Sequence, residues 1–296
     1  MVYVSMMVCP RCDGPLDATP HGFSCPSCAY RAHRERGVLV FERGIPLDHP
    51  DYPADGLDAL CRYELDHPWF THRLKIIRNA FATHVGREEQ ILEVGAGTGH
   101  TARALKDDGY VHVALGDMHV RGLVYAKRLG IETVYQFDLQ RPPFRDHFDA
   151  VALFDVLEHI PGDVAAVRQV HRMLRPGGRV LLTVPAHSWL WSRVDDLSGH
   201  HRRYNRRRLG SLLASAGFDV LECRYFFTAL VPGLLLRSLL SRNVTRDSLE
   251  GGSGLKVSRL GRIVLGLMSG PGDAVLFPLR HVAGGSLIAV ARKARA

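Results

Sequence analysis

The stretch Ile91-Leu-Glu-Val-Gly-Ala-Gly-Thr-Gly-His100 decides the fold of this chain. Its first four residues are typical of a buried strand, and three glycines at alternate positions follow. Glycine adopts positive φ angles and lets a ligand approach the backbone, so Gly95, Gly97 and Gly99 predict a tight turn. Helical spacing of apolar residues begins directly after them. The stretch therefore predicts a strand, a ligand-binding turn and a helix start, a pattern that several nucleotide-binding loops share.

Strand-like runs alternate with helical spacing along the rest of the chain. The candidate strands cover residues 90–94, 111–116, 133–137, 148–154, 179–185, 218–226 and 286–293. An Arg-Pro-Gly-Gly segment at 175–178 ends the helical spacing that precedes the fifth strand. This alternation predicts an α/β fold with a doubly wound sheet.

The composition is that of a globular protein with a basic balance. The chain has 296 residues, a formal net charge of +8 and a sequence pI near 9.4, which suits one large domain with an appendage. A basic balance favours an anionic contact, such as nucleic acid, lipid headgroups or a phosphorylated substrate. No basic region leads into a long apolar run near residue 1, so we expect no signal peptide and a cytoplasmic protein.

Four of the six cysteines form two Cys-Pro-x-Cys pairs near the N-terminus. Cys9 with Cys12, and Cys25 with Cys28, each offer two thiolates from a tight knuckle, which together match the four soft ligands of a tetrahedral zinc site. A segment this short has little core, so the metal would supply its folding free energy. We predict a structural Zn2+ ribbon in residues 1–45. Four unrelated reduced cysteines, or a redox pair, are the weaker interpretations.

Residues 227–284 are unusually apolar. The run 225–236 is nearly all apolar but too short to span a bilayer. Farther along, residues 255–268 would form a helix with one apolar face and flanking basic side chains. Such a helix would lie on a membrane surface or, as apolar stripes more often do, pack as a lid over an active site or in a homodimer contact.

Acidic side chains follow the candidate strands, where ligands bind in doubly wound sheets. Asp117 closes the second strand about twenty residues after the glycine turn, where a carboxylate accepts ribose hydroxyls. Asp138 follows the third strand, in reach of an adenine amino group, and Asp155 follows the fourth. A glycine turn followed by three acidic residues at strand ends is a much more specific signal of a nucleotide-like ligand than the turn alone. A dehydrogenase is a weaker interpretation because the loop reads Gly-x-Gly-x-Gly rather than Gly-x-Gly-x-x-Gly.

In order and spacing, these motifs resemble those of the class I S-adenosylmethionine-dependent methyltransferases. The resemblance rests on segments 93–99, 148–160 and 174–178 together with Asp117 and Asp138. It implies a seven-stranded Rossmann-like sheet whose last strand is antiparallel, with a helical insert before that strand. The predicted domains are a zinc ribbon at 1–45, a linker and helical cofactor cover at 46–85, a core at 86–226 plus 285–296, and a helical insert at 227–284.

The resemblance also implies which residues hold S-adenosylmethionine. These are Trp69, Arg73, Glu93, Gly95, Ala96, Gly97, Gly99, Asp117, Met118, Asp138, Leu139, Phe154 and Asp155. Glu93 and the glycines would border the methionine part, and Asp117 would bind the ribose. Met118 would pack on the adenine, whose edge Asp138 and Leu139 would read. Segment 67–73 looks like the cofactor cover of some relatives, with Arg73 as a partner for the cofactor carboxylate.

Methyl transfer needs donor and acceptor in line and, where the acceptor carries a proton, a base. The candidate bases are His159, His200, His201 and Tyr204. Asp155, Glu158 and His159 would share one helical face. A divalent ion, Mg2+ in the first instance, would bind there, or Glu158 and His159 would only cap and line the pocket, which is the favoured interpretation.

Acceptor residues are expected after the fifth strand. Trp189 and Trp191 follow it directly, and at least one of them would line the acceptor pocket. Arg203 belongs to a basic run at 202–208 that suits phosphate recognition, or else forms a solvated helix face.

These observations favour a methyltransferase for a small-molecule or lipid-linked metabolite, with a cavity roofed by the insert. The alternative is an RNA methyltransferase, since a few ribosomal RNA guanine methyltransferases carry a similar four-ligand zinc module and a basic balance suits RNA. The sequence shows no interleaved aromatic and basic residues of the kind that bind single-stranded nucleic acid. A cofactor-binding scaffold without turnover is the third interpretation, against which the intact cofactor residues argue.

Overall fold

A single sheet positions every candidate site residue that the computed structural model places. The structure describes residues 7–42, 45, 61, 64–95, 97–240, 259–272 and 275–295. Ala96, the predicted linker at 46–60 and the middle of the insert at 241–258 lie outside the described residues. The strands are β1 (Asp17–Thr19), β2 (Gly22–Ser24), β3 (Arg31–Glu35), β4 (Val38–Val40), β5 (Gln90–Val94), β6 (His112–Asp117), β7 (Val134–Gln136), β8 (Phe148–Phe154), β9 (Leu174–Pro185), β10 (Phe218–Phe226) and β11 (Ser286–Lys293).

Helices connect these strands and cover both faces of the sheet. The α-helices are α1 (Pro68–His84), α2 (His100–Asp107), α3 (Val120–Arg128), α4 (Asp163–Met173), α5 (Arg193–Leu197), α6 (Arg206–Ser215), α7 (Val231–Leu240) and α8 (Arg259–Leu267). Short 3-10 turns cover Leu157–His159 and Ser188–Leu190. These turns follow β8 and β9, so they lie at the carboxyl ends of neighbouring strands.

The strand order is β1-β2-β3-β4-β7-β6-β5-β8-β9-β11-β10. Strands β7, β6, β5, β8 and β9 pair in parallel, and β11 is antiparallel to both β9 and β10. The order reverses between β5 and β8, which is the switch point where doubly wound sheets bind ligands. The chain therefore has a Rossmann-like α/β fold with its glycine turn at that switch point.

The N-terminal strands extend this sheet. Val40 of β4 pairs in parallel with Gln136 of β7, and the Gln136 side chain accepts a hydrogen bond from the backbone N–H of Glu42. The sheet thus has eleven strands among the described residues, of which β1–β4 belong to the predicted ribbon segment and β5–β11 to the predicted core. Without β4, the outer edge of β7 would leave backbone groups unpaired, and edge strands are commonly covered for that reason.

Alternation along the strands builds two cores, one on each face of the sheet. Ile91 of β5 packs with Ile77 and Phe81 of α1, whereas its neighbours Leu92 and Val94 pack on the opposite face. Each such fully buried side chain contributes about 1.5–3 kcal/mol. The two cores fix the strands in register, and with them the loops at their ends.

The fifth core strand begins earlier than the sequence predicts. Strand β9 starts at Leu174, directly after α4 ends at Met173, and the pairing with β8 shifts register between Phe148 and Ala150. The Pro-Gly segment does end the helix, as predicted. The strand includes that segment because Gly177 adopts a φ of +79° and lets the chain stay in the sheet.

The insert is helical where the structure describes it. Helix α7 has an exposed apolar end, with Leu239 and Leu240 64% and 70% exposed. In α8, Leu265 packs against the core while Ile263 and Leu267 are exposed. Among the described residues, no helix combines the length and apolar character needed to cross a membrane.

Candidate functional site

The glycine turn after β5 has the strained geometry that only glycine accepts. Gly95 and Gly99 have φ angles of +71° and +83°. A Cβ on Gly95 would lie 2.4 Å from Val156 Cγ2, and one on Gly99 would lie 2.5 Å from Ala126 Cβ. A side chain at either position would force the turn apart. The turn is therefore held tightly between β5, α3 and the segment after β8.

Asp117 lies at the end of β6, facing this turn. Its Oδ2 accepts a hydrogen bond from the backbone N–H of Gly97 at 3.1 Å, and its Oδ1 accepts from that of His119 at 2.8 Å. Burial raises the pKa of Asp117, while these backbone donors lower it. The two strand ends that the sequence pairs thus meet in space, with Met118, half-buried, next to Asp117.

Glu93 is a buried carboxyl with unused acceptor capacity. Its Oε2 is buried and has no hydrogen-bond partner among the described residues. Burial raises its pKa to about 8, with Arg73 opposing the shift and Glu64 adding to it. Leaving such an oxygen unpartnered costs free energy, so the site favours a ligand with donors or positive charge.

Arg73 links the cofactor cover to the switch point. Its guanidinium lies 2.7 Å from Asp155 Oδ2 and over the rings of Trp69 and Phe154, at 5.5 and 5.8 Å from the centroids. Trp69 in turn stacks on Phe227 at the start of the insert. Arg73 was predicted to meet a ligand carboxylate, and its partner in this structure is Asp155. Helix α1 therefore carries aromatic and cationic groups over the glycine turn.

The predicted adenine-edge residues lie beyond β7. Asp138 is half-buried, and its Oδ1 accepts the backbone N–H of Gln140 at 2.8 Å, while Leu139 is buried. The Gln136 side chain donates to the carbonyl of Met118 at 3.1 Å, which ties this loop to the end of β6. These placements agree with a pocket lined in chain order along one sheet edge.

Three side chains that carry chemistry converge beyond β8. A carboxylate oxygen of Glu158 and ring nitrogens of His159 and His200 all lie within 4.8 Å of one another. Burial and the neighbouring Asp155 raise the pKa of Glu158 well above its usual value. His200 takes the place in this group that the sequence assigned to Asp155. Because Mg2+ prefers oxygen ligands, we do not retain it for this set.

Asp195 and Arg203 form an ion pair beside the loop that carries His200. The guanidinium Nε and Nη2 of Arg203 donate to the two carboxylate oxygens of Asp195 at 2.8 and 3.0 Å, and Nη1 donates to the carbonyl of Ala186 at 3.1 Å. The pair is buried. Arg203 was predicted to bind substrate, and in this structure three of its N–H groups donate to Asp195 and Ala186 instead.

The other two predicted bases, Tyr204 and His201, lie in different surroundings. Tyr204 is fully buried, and its hydroxyl donates to Asp163 Oδ2 at 3.1 Å. Its burial raises its pKa, which makes it a poor proton acceptor. The ring of His201 is exposed, and its backbone N–H donates to the carbonyl of Glu158 at 2.7 Å. Of the four predicted bases, only His159 and His200 belong to the group around Glu158.

The sequence reasoning missed His187, which follows β9 directly. Its ring is stacked between Trp189 and Tyr225, with centroids 4.8 and 4.7 Å away. Its Nε2 is buried without a partner in the described part of the chain, and its φ is +56°. Its position at a strand end was the available signal. Of the predicted tryptophans, Trp189 is 50% exposed, and Trp191 donates from Nε1 to Asp196 at 2.9 Å.

The four paired cysteines form a second cluster, far along the sheet from the glycine turn. The sulfurs of Cys9 and Cys28, and those of Cys12 and Cys25, lie 3.5 Å apart. A tetrahedral zinc ion separates its sulfurs by about 3.8 Å. No disulfide bond joins any of the six cysteines. The cluster joins the core through ion pairs of Asp13 with Arg145 and Arg172.

The sheet order, the glycine turn and the strand-end acids define an α/β protein with a Rossmann-like methyltransferase fold. The methyltransferase domain family matches residues 67–223, more than half of the chain, so the chain belongs to this family. The match spans the cofactor cover, the turn and the segment after β8.

Curated relatives match over part of their length. A ubiquinone biosynthesis O-methyltransferase of Xylella fastidiosa is 32% identical over 101 residues, which are 32% of this chain and 41% of the relative. Phosphoethanolamine N-methyltransferase 2 of Caenorhabditis elegans is 30% identical over 158 residues, 47% of this chain and 34% of the relative. The chain thus spans less than half the length of these two relatives.

A solved structure shows the same fold. Phosphoethanolamine N-methyltransferase 2 of Haemonchus contortus, in complex with S-adenosyl-L-methionine, superposes with a TM-score of 0.56 at 20% identity, covering 87% of this chain and 62% of that one. Together with the family match, these relatives support a place among the S-adenosylmethionine-dependent methyltransferases.

Proposed function

We propose that the chain transfers a methyl group from S-adenosylmethionine to a small-molecule or lipid-linked metabolite. The observation that carries this proposal is the convergence of Gly97, Asp117 and the unpartnered Glu93 at the switch point of the sheet. A scaffold without turnover would not need the histidines and aromatic rings that also face this edge. The relatives named above act, by their names, on small molecules.

The cofactor side fits a ligand that carries both hydroxyls and a positive charge. Asp117 keeps free lone pairs for the ribose, and Glu93 offers a buried oxygen to the methionine amino group. Trp69 and Arg73 would cover the bound ligand. When bound, the cofactor supplies a methyl group made electrophilic by its sulfonium. The residues need only hold it in line with the acceptor and exclude water.

The acceptor side would lie beyond β8 and β9. His159 or His200 would take the proton of a hydroxyl or amine acceptor. His187 and Trp189 present a stacked aromatic wall against which an apolar or planar acceptor would pack. The acceptor would enter from the side of the insert, because α7 starts close to these turns.

The insert supports a lipid-linked acceptor. Its outward apolar residues are 39% to 78% exposed, namely Leu235, Leu236, Leu239, Leu240, Ile263, Val264, Leu267, Val275, Leu279 and Val282. Between residues 227 and 284 the sequence has seven Lys or Arg against three Asp or Glu. Exposed apolar side chains in a segment with a basic composition would suit the interface of an anionic membrane, where the acceptor would reside.

The four-cysteine cluster would hold a structural zinc ion that folds β1–β4 onto the core. Removing zinc with a chelator should release these strands while the core keeps its fold. Hydrogen exchange would report a selective loss of protection in residues 7–42. Absence of zinc from the purified protein would contradict this proposal.

The main test measures transfer of a labelled methyl group. Purified protein is given labelled S-adenosylmethionine and, separately, a lipid extract, a water-soluble metabolite extract and total RNA. We expect label in one of the first two extracts, with little sensitivity to added salt. Label in RNA alone, with activity that falls steeply with salt, would favour an RNA methyltransferase instead. Failure to bind S-adenosylhomocysteine by calorimetry would overturn the proposal.

Membrane contact has its own test, with matched substitutions. Leu236→Asp combined with Leu239→Asp should reduce cosedimentation with phosphatidylglycerol vesicles at least about tenfold, because two charges enter the lipid-facing surface. Leu221→Asp, at an exposed leucine of β10, is the control and should leave binding unchanged. Failure of the wild-type protein to cosediment with these vesicles would refute membrane contact. A change of oligomeric state in the double variant would point to a dimer contact.

A further inference from the structure

The ribbon, described over residues 7–42, meets the core next to the candidate cofactor site. Its last strand, β4, pairs in parallel with β7, and the backbone N–H of Phe41 donates to the carbonyl of Gln136 at 2.9 Å. On the other side of β7, Gln136 pairs with Asp117 at the end of β6. In the sheet, β7 thus lies between the ribbon and the strand end that is predicted to bind the ribose.

The Gln136 side chain bridges the two neighbours of β7. Its Oε1 accepts the backbone N–H of Glu42 at 3.0 Å, and its Nε2 donates to the carbonyl of Met118 at 3.1 Å. Gln136 is only 1% exposed, so water does not replace either bond. Losing one partner would leave a buried amide group unsatisfied, which costs free energy. The amide therefore fixes the loop after β6 relative to the ribbon.

The Gln136 bridge continues into the cysteine cluster. The Tyr30 hydroxyl donates to the carbonyl of Phe41, which directly precedes Glu42. The backbone carbonyl of Tyr30 accepts the backbone N–H of Cys25 at 2.8 Å. A series of hydrogen bonds thus connects a cysteine of the cluster, through the buried glutamine, to the loop after β6.

The ribbon also contacts the loop that follows β7, in residues 137–145. The backbone N–H of Val8 donates to the carbonyl of Pro143 at 3.0 Å, and Asp13 pairs with Arg145 at 3.4 Å. This loop carries the two residues that are predicted to read the adenine edge. The two loops that are predicted to hold the adenosine part are therefore both tied to the ribbon, one directly and one through the buried glutamine.

We infer that the folded ribbon raises the affinity of the core for S-adenosylmethionine, with Gln136 as the positioning residue that links the two. The ribbon holds the Gln136 amide on one side, and the amide holds the Met118 carbonyl on the other. The end of β6 is thereby ordered before the ligand arrives. Without the ribbon, the ligand must supply this ordering, which lowers its affinity. The inference rests on the proposed function, because it needs a cofactor at this edge of the sheet.

The first measurement is the affinity for S-adenosylhomocysteine with the ribbon folded and with the ribbon released. Full-length protein is titrated by calorimetry with zinc present and after chelation. Hydrogen exchange verifies that residues 7–42 lose protection while β5, β8 and β9 keep theirs. We expect release of the ribbon to weaken binding at least about fivefold.

The reciprocal measurement is the affinity for zinc, obtained by competition with a chromophoric chelator. Thermodynamic linkage requires two coupled sites to influence each other by the same factor. S-adenosylhomocysteine should therefore tighten zinc binding as much as zinc tightens S-adenosylhomocysteine binding. A glutamine that only stabilised the fold would not produce this reciprocity.

Gln136→Met tests the route, because a thioether of similar length cannot donate to the Met118 carbonyl. The zinc-loaded variant should bind S-adenosylhomocysteine more weakly than wild type, and chelation should then add less than about twofold. Glu42→Pro removes the N–H on the ribbon side and keeps every side chain of the cofactor site. It should act in the same direction, and it carries the test should Gln136→Met not fold.

Gln140→Met is the matched control, because this glutamine is exposed and lies beyond the same strand. It should keep both the wild-type affinity and its response to chelation. Equal affinity before and after release of the ribbon would overturn the inference, and so would losses from chelation and from Gln136→Met that simply add. Should chelation release nothing, Glu42→Pro decides alone, and wild-type affinity in that variant would overturn the inference.

These outcomes are distinct from failure of the proposed function. A protein that binds S-adenosylhomocysteine equally well with and without its folded ribbon keeps the proposed methyl transfer and loses only the coupling. Absence of binding in every form of the protein would instead overturn the proposed function itself.

Discussion

The two halves of the sheet's carboxyl edge are built in different ways. The cofactor half, beyond β5 and β6, consists of a glycine turn and acids that lie close in sequence. The acceptor half, beyond β8 and β9, depends on contacts between side chains: Asp195 joins His200 and Arg203, and His187 stacks on Tyr225. In the cofactor half, the backbone of the glycine turn forms the candidate site. In the acceptor half, hydrogen-bonded and stacked side chains form it.

This difference has an energetic consequence. Carboxyls of the cofactor half are left with raised pKa values by burial, so a bound ligand relieves a cost that the free protein carries. In the acceptor half, Asp195 already has its partners within the protein. Burial raises its pKa, but His200 and Arg203 hold that pKa well below its usual range, so the carboxylate stays ionised. Substitutions should therefore affect ligand affinity in the first half and stability in the second.

The largest expected effect is loss of stability in Arg203→Ala. Removing this guanidinium leaves the buried Asp195 with hydrogen-bond partners at Ser192 and His200 but without its arginine, and breaking a buried pair this way costs about 3–5 kcal/mol. Urea denaturation measures the loss. Arg207→Ala, at an exposed site in the first turn of α6, should change the free energy of unfolding by less than about 0.5 kcal/mol. Equal losses in both variants would contradict the contrast between the two halves.

Asp117→Ala should weaken binding of S-adenosylhomocysteine by about 1–3 kcal/mol, because hydrogen bonds to a charged group are lost. Isothermal titration calorimetry measures this change. The control is Asp219→Ala, an exposed aspartate on β10, which should bind like wild type. Unchanged affinity in Asp117→Ala would show that the end of β6 is not part of the cofactor site.

Glu93→Gln should make the free protein less sensitive to alkaline pH. The folded pKa of Glu93 is raised from 4.5 to about 8, so wild type loses stability from this group as the pH rises through that window, and the amide does not. Relative to wild type, the variant should gain up to about 4 kcal/mol of unfolding free energy between roughly pH 5 and roughly pH 8.5. Denaturation at both pH values measures it, and a pH-independent difference would count against a buried neutral Glu93.

Tyr204→Phe carries the smallest expected effect. Its hydroxyl donates to Asp163, so losing it should cost about 0.5–1.5 kcal/mol of stability. Thermal denaturation measures this cost, and S-adenosylhomocysteine affinity should not change. A variant that keeps wild-type stability but loses methyl transfer would restore Tyr204 as a catalytic candidate.

Much of the cofactor half is predictable because its signals are local. The glycine turn and Asp117 lie within one strand-helix-strand unit, whose connections are short and follow fixed topology. The cysteine pairs are equally local, and their meeting follows from spacing alone. The surroundings of Arg203 and Tyr204 could not be predicted for the opposite reason. A run of arginines shows its charge in the sequence but does not show which guanidinium is buried against Asp195.

The sequence by itself determined the alternation of strands and helices, the ligand-binding turn, the strand-end acids and the paired thiols. Each depends on a period or a spacing that backbone geometry translates directly into structure. Only the tertiary structure joined β4 to β7, brought His200 beside Glu158, and placed His187 between two aromatic rings. These contacts join segments whose separation carries no periodic signal, so they are decided by how the layers pack and which groups that packing removes from water.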